Sequence, residues 1–223
     1  MHIEPGVVDG AKIVLSYATA LAAFGFSAKA SIDMIKKDGL LSLISRSVLT
    51  TLFVFAFFEL FPHHAVGVSE VHLILGSTLF LIFGPAAASI GLIFGLLSQG
   101  IFFAQFDLPQ YGMNVTTLLL PLFAMSAVAR RTIAENTAYV DISYTQALKL
   151  SLTYQGGIVA WVAFWAFYGQ GFGAENLASV ATFGMAYLSV VLIEPVLDLA
   201  VLAGAKSLHR FKNSSLLEAR LFH

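Results

Sequence analysis

Cysteine is absent from this 223-residue chain, which excludes disulfide scaffolds, thiolate metal sites and cysteine nucleophiles together. Charge is nearly absent as well. Only 11% of the residues are charged, and 12 basic residues against 13 acidic ones leave a net charge of -1. A soluble domain carries about 25% charged residues, because its surface must be solvated by water. Nucleic acid needs a basic face and is excluded as a partner. No G-x-x-x-x-G-K-[ST] phosphate loop occurs. Gly204-Ala205-Lys206-Ser207 has only a fragment of one, so no ATP is expected to bind this chain. Internal repeats and low-complexity segments are missing too. A secretory signal opens with a basic n-region and ends in a small-residue cleavage site. This chain opens Met1-His2-Ile3-Glu4-Pro5-Gly6, so Met1 is expected to remain its first residue.

What is abundant is apolar: 58% of the residues are hydrophobic, and the mean hydropathy is +0.83. The pattern predicts an all-α integral membrane protein, a single bundle of about seven transmembrane helices embedded in lipid. Apolar runs place helices near 10–28, 41–61, 71–84, 86–106, 113–130, 147–168 and 178–205. The third run is short of the roughly 20 residues that cross a bilayer and ends at Gly84-Pro85. It fits either one arm of a tight helical hairpin or a re-entrant piece. Lys29, Lys36, Lys37, Arg46, Arg130, Arg131, Lys149, Lys206, Arg210, Lys212 and Arg220 all fall on one side of a seven-span arrangement. The positive-inside rule makes that side cytoplasmic. Only Lys12 breaks the pattern, and the segments 62–70, 105–112 and 169–177 contain no Lys or Arg. The N-terminus is therefore expected outside and the C-terminus in the cytoplasm of a plasma-membrane protein. Residues 1–205 form the membrane domain, and 206–223 form a short basic cytoplasmic tail.

Six histidines bear on chemistry. His209 and His223 lie in the tail, and His63-His64 reads as a loop pair at an outer helix end. His72 falls just inside an apolar run. Burying an ionisable group there is costly, which makes it a functional candidate, although a hydrogen bond to a carbonyl explains it equally well. The N-terminus tips that balance. The amine of Met1, the amide nitrogen of His2 and the His2 imidazole can wrap one cation in fused five- and six-membered chelate rings. A fourth nitrogen from His72 would complete a square plane, the geometry that suits Ni(II) or Cu(II), and low-spin Co(II) accepts it as well. Glu194 and Asp198, four apart, share one face of the last helix. Two readings fit them: proton or ion transfer, or carboxyl groups satisfied by their neighbours.

The chain resembles the CbiM/NikM family, the substrate-binding membrane component of cobalt and nickel energy-coupling-factor transporters. The likeness rests on Met1-His2-Ile3 followed by an acid and Gly6, and on Ser69-Glu70-Val71-His72-Leu73-Ile74-Leu75-Gly76. It continues through Leu81 to Pro85, Gln99, Phe102-Phe103 and Gly112-Met113-Asn114-Val115, and weakens after about residue 130, where Glu194 matches an acidic position. The resemblance implies that Ni(II) or Co(II) is the transported substrate and that Met1, His2 and His72 are its ligands. Ser69 and Asn114 would support those ligands. It also implies a transmembrane coupling protein and ATPase subunits as partners. The loop around 131–147 and the small residues of helix one, including Ala18 and Ala22, are candidate docking elements. Gly67-Val68-Ser69, Thr117 and Pro195 depart from the family pattern and bear on which metal is chosen. Two other readings remain: a coupling-factor component for another small nutrient, and a membrane enzyme or assembly factor that uses Glu194 and Asp198.

Overall fold

The computed structural model describes residues 2–210, so Met1 and most of the expected tail fall outside the described residues. The described residues form α1 (Ile13–Asp38), α2 (Leu40–Glu59), a small hairpin of β1 (His64–Val66) and β2 (Ser69–Val71), α3 (Gly76–Phe102), α4 (Tyr111–Thr132), α5 (Tyr144–Gln170) and α6 (Ala174–Arg210). All six helices are long and apolar enough to cross a membrane.

The sequence pattern predicts seven helices, and the described residues form six. The difference lies in the run 71–84. Its first residues are not helical: Val71 ends β2, and Leu75 takes a left-handed conformation with φ 52°. Such a conformation is costly for a side chain as large as leucine. Here α6 supports it, because the buried Glu194 carboxylate accepts a hydrogen bond from the Ile74 amide. The remainder of the run joins the next one within α3, and the joint is a break at Gly84, where φ is 84° and ψ is 167°. Glycine meets no steric penalty at that φ, and Pro85 suits the first turn of the helix that follows.

The break reverses the chain. A straight helix of 27 residues would be roughly 40 Å long, yet both flanks of α3 reach His2. The His72 ring lies 5.6 Å from the His2 ring, and Asp107 Oδ2 lies 2.6 Å from His2 Nδ1. The second arm of α3 runs parallel to α2, since Gly91 lies against Thr50 and Gly95 against Val54. The first arm runs beside α6, where Asp198 accepts hydrogen bonds from the Ser77 and Thr78 hydroxyls. Pro85 accordingly shares a cleft with Lys29, Asp33 and Arg130 at the end of the bundle away from His2.

These contacts give the bundle two unlike ends. The N-terminal segment, the β hairpin, the start of α4, the end of α5 and the start of α6 meet at one end. Lys12 Nζ donates to the Gly169 carbonyl there at 2.7 Å, and Gly67 lies against the Ser179 backbone. The other end gathers the α1–α2 turn, the Gly84 break and the α4–α5 connection. There the Gln146 amide reaches the Thr132 carbonyl at 2.6 Å, and Lys206 lies over the Tyr144 ring.

Close helix packing depends on small residues, as is general between helices in lipid. A methyl group at Gly91 would stand 2.5 Å from Thr50 Oγ1, and the same hydroxyl already donates to the Ala87 carbonyl at 2.7 Å. Gly91→Ala is therefore expected to force α2 and α3 apart, at a cost of about 1–3 kcal/mol. Its thermal midpoint in detergent falls below that of the unaltered protein. Gly25→Ala, where nothing lies within 4 Å of the added methyl, does not lower it.

Candidate metal centre

The site begins as backbone pairing. The N-terminal segment joins the hairpin as a third, very short strand: Ile3 bridges Ser69 antiparallel, the Glu70 amide donates to the His2 carbonyl at 2.8 Å, and the Glu4 amide donates to the Val68 carbonyl at 3.1 Å. The Ser69 hydroxyl also donates to the His2 carbonyl at 2.8 Å. On the other side the Ile3 amide donates to Asn114 Oδ1 at 2.8 Å, where α4 begins. Ile3 is wholly buried in the main apolar core, so residue 2 is held by an apolar anchor and a ladder of hydrogen bonds. Ser69 and Asn114 thus act on the backbone around His2. Asn114 accepts from Ile3 rather than donating to His72.

This pairing seats two imidazoles together. His2 is 2% exposed and His72 is 1% exposed, with their rings tilted by 36°. Phe58 meets both rings edge-on, at 6.1 Å and 5.0 Å. Neither nitrogen of His2 has a hydrogen-bond partner, and His72 Nδ1 has none. Polar atoms buried without partners are rare, and each one asks for an explanation. His2 Nδ1 approaches Asp107 Oδ2 to 2.6 Å, but not in hydrogen-bonding geometry, and that oxygen also lacks a partner. Burial, with the nearby His2 and His63 rings as lesser contributors, holds the pKa of His72 well below its usual 6.5. His72 is therefore neutral at ordinary pH, with lone-pair density available to a metal.

The structure adds residues that the sequence pattern did not single out. Glu70 Oε2 lies 2.8 Å from His72 Nε2. One ligand atom each from His2, Glu70 and His72 falls within 4.8 Å of the others, an arrangement that can hold a metal ion. Glu70 was legible in principle, because residues i and i+2 of a strand share a face. Asp107, in the 3-10 turn after α3, carried no such signal. His63 does more than sit in a loop: its ring stacks on that of His72 at 4.9 Å and 12°. Burial and the negative charges of Glu70 and Asp107 raise the pKa of Glu4, which marks this end as electronegative. Met1 lies outside the described residues, and His209 is at the opposite end, on α6. Glu194 and Asp198 do not join the cluster. They bond to Ile74, Gln155, Ser77 and Thr78, in the segment that follows His72.

Fold and site together define a multi-pass helical membrane protein whose one end presents buried nitrogen and carboxylate donors suited to a divalent metal ion. A family profile described as "Cobalt uptake substrate-specific transmembrane region" matches residues 2–210. The chain belongs to that family, CbiM, whose members are transport proteins and not enzymes. Comparison with curated protein sequences returned no match. Two solved structures share the fold. One, described as a truncated transition metal transporter, has a TM-score of 0.69 at 18% identity, covering 90% of this chain and 96% of its own. The other, described as a transition metal transporter, has a TM-score of 0.65 at 16% identity, covering 100% and 98%.

The amide acceptor of Asn114 is a direct test of how the N-terminal segment is held. Asn114→Ala leaves the buried Ile3 amide without a partner, a loss of about 1–3 kcal/mol. Hydrogen exchange at the Ile3 and Glu70 amides is expected to accelerate, while amides of the central turns of α4 keep their protection. Gln105→Ala, which removes only an exposed bond to the Ile101 carbonyl, leaves both amides as slow as before.

Proposed function

We propose that this chain captures a divalent transition metal ion, Ni(II) or Co(II), on the outer side of the plasma membrane. In this reading it is the substrate-specificity component of an energy-coupling-factor transporter. The observation that carries the proposal is the meeting of His2 and His72, 70 residues apart in the chain, as buried rings with unpartnered nitrogens. In this reading the Met1 amine, the His2 amide and the His2 imidazole form the fused chelate, and His72 closes it. All these donors are nitrogen, which suits a borderline cation. The family supplies the transport context, while the choice between nickel and cobalt rests on the ligand set.

The direction of capture follows from charge. Lys29, Lys36, Lys37, Arg46, Arg130, Arg131, Lys149 and Lys206 lie towards the end opposite the metal donors, and Lys12 is the exception. The positive-inside rule makes the basic end cytoplasmic. The reversal at Gly84 counts as an additional passage, so six helices still leave the N-terminus outside and the end of α6 inside. The sequence carries no G-x-x-x-x-G-K-[ST] phosphate loop, so in this reading partner ATPases and a transmembrane coupling protein drive release inward. The α4–α5 connection and the small residues of α1 are the docking elements proposed for them.

Three measurements test this reading. A reporter inserted at 62–68 is expected to read as external and one fused after His223 as cytoplasmic; the reverse pattern overturns the direction of capture. His72→Ala is expected to weaken Ni(II) and Co(II) binding by at least the roughly 10–100-fold that disturbed ligand support commonly costs, whereas His209→Ala leaves it unchanged. Equal losses in the two variants point to non-specific histidine binding. A Gly-Ser extension before Met1 moves the free amine out of its five-membered ring and is expected to abolish tight binding with expression and helicity intact. Undiminished affinity in the extended protein overturns the N-terminal chelate.

A further inference from the structure

A cleft at the end of the bundle away from His2 plays no part in the metal centre. It has a volume of about 360 Å³ and opens between α1, α4 and the Gly84 break, with Lys29, Asp33, Ser126 and Arg130 in its walls beside Phe26 and Phe123. We propose that this cleft holds the phosphate headgroup of an anionic phospholipid, drawn from the leaflet at the basic end.

The depth of the two cations is set by the chain itself. Residues 13–28 of α1 carry no charge, and neither do residues 108–129, which lead through α4 to Arg130. Lys29 lies roughly 25 Å along the helix from Lys12, close to the hydrocarbon thickness of about 30 Å. Lys29 and Arg130 are therefore the first charges met where α1 and α4 leave the apolar layer, which is the level of phospholipid headgroups.

Charge in the cleft is left open. Lys29 and Arg130 are both exposed, and among the described residues neither forms an ion pair. Arg46 at the same end differs, since Asp38 lies 3.4 Å from its guanidinium. Arg130 Nη1 donates to the Ser126 hydroxyl at 3.2 Å, which leaves most of the five guanidinium donors free. Asp33, one turn beyond Lys29, is the one acid among the described residues of the cleft walls, so two cations face it with positive charge to spare. A phosphate accepts from a guanidinium fork and an ammonium together. The second arm of α3 starts at Pro85 in the same wall, and the start of a helix adds to the attraction for an anion.

The apolar wall separates a lipid from other anions. Phe26 precedes Lys29 by three residues on the same helix face, is 62% exposed, and has its ring 5.7 Å from that of Phe123. An acyl chain attached to the bound phosphate covers these rings, which free phosphate or an acidic protein segment leaves bare. Basic pockets between membrane helices at the cytoplasmic side bind anionic headgroups in this way.

The test uses the full chain in detergent with phosphatidylglycerol or phosphatidylcholine of identical acyl chains, or with inorganic phosphate alone. Native mass spectrometry counts retained lipid, and the thermal midpoint reports stabilisation by whatever binds the folded state. Phosphatidylglycerol is expected to be retained and to raise the midpoint beyond phosphatidylcholine, while inorganic phosphate does not raise it. Lys29→Gln and Arg130→Gln are each expected to weaken phosphatidylglycerol binding on the order of 5-fold, the usual contribution of one cation at a lipid surface. Asp33→Asn is expected to tighten it. Arg131→Gln, which alters an exposed cation outside the cleft, leaves it unchanged. Equal retention of the two lipids overturns the site and leaves the cations to an acidic segment of a partner protein. Inorganic phosphate that stabilises as much as phosphatidylglycerol overturns the lipid as the ligand. A loss in Arg131→Gln as large as in Arg130→Gln reduces the effect to diffuse surface charge and overturns the cleft. Where Lys29→Gln or Arg130→Gln does not fold, Asp33→Asn decides: binding no tighter than in the unaltered protein overturns the site.

Discussion

Everything at the end that carries His2 and His72 depends on a few backbone hydrogen bonds that make residues 2–4 a strand. A free N-terminal segment has little reason to hold one conformation, since ordering each residue costs about 1–2 kcal/mol. Here the Glu70 and Glu4 amides, the Ser69 hydroxyl and Asn114 Oδ1 fix the main chain on both sides of His2. The buried Ile3 side chain adds apolar stabilisation. The position of the His2 imidazole is thereby fixed by the protein's own contacts, as the proposed metal site requires. A site whose donors are already in position loses less freedom on binding, which is the physical meaning of preorganisation.

The second half of the site is held just as firmly from beneath. His72 leads into an irregular stretch whose Leu75 is left-handed, and that stretch would relax if its amides lost their partners. Glu194 on α6 accepts from Ile74, and Asp198 accepts from Ser77 and Thr78. Gln155 of α5 donates to Glu194 and accepts from Tyr187. Irregular backbone at membrane depth is tolerated only where protein satisfies it, and this polar network does so. It also links the position of the His72 segment to two long helices that run to the opposite end. Movement of α5 or α6 would therefore be felt at His72.

The reversal at Gly84 accounts for the difference between seven apolar runs and the six helices among the described residues. By length and hydropathy α3 is a single element, yet its two arms run in opposite directions. The first arm stays short because Asp198 and Glu194 hold its start deep in the bundle. The second arm spans fully beside α2, where Gly91 and Gly95 allow close approach.

Much of this was legible in the sequence because it depends on local composition. Long apolar runs in a chain with 11% charge have few soluble solutions, and one-sided Lys and Arg order the spans. His2 and a later His72 stood out as candidate donors, and the chelate proposed for them with Met1 rests on the covalent spacing of donors in the first two residues. The tertiary structure decided what depends on contacts between distant residues. That Glu70, Asp107 and His63 surround the two imidazoles follows from strand pairing and from the chain's return after Gly84, neither of which a hydropathy pattern encodes. The same holds for Glu194 and Asp198: their four-residue spacing set them on one face, and only packing against residues 74–78 showed that the face holds backbone and hydroxyl groups. Local pattern determined that a helical membrane bundle would form. Long-range packing determined which donors meet.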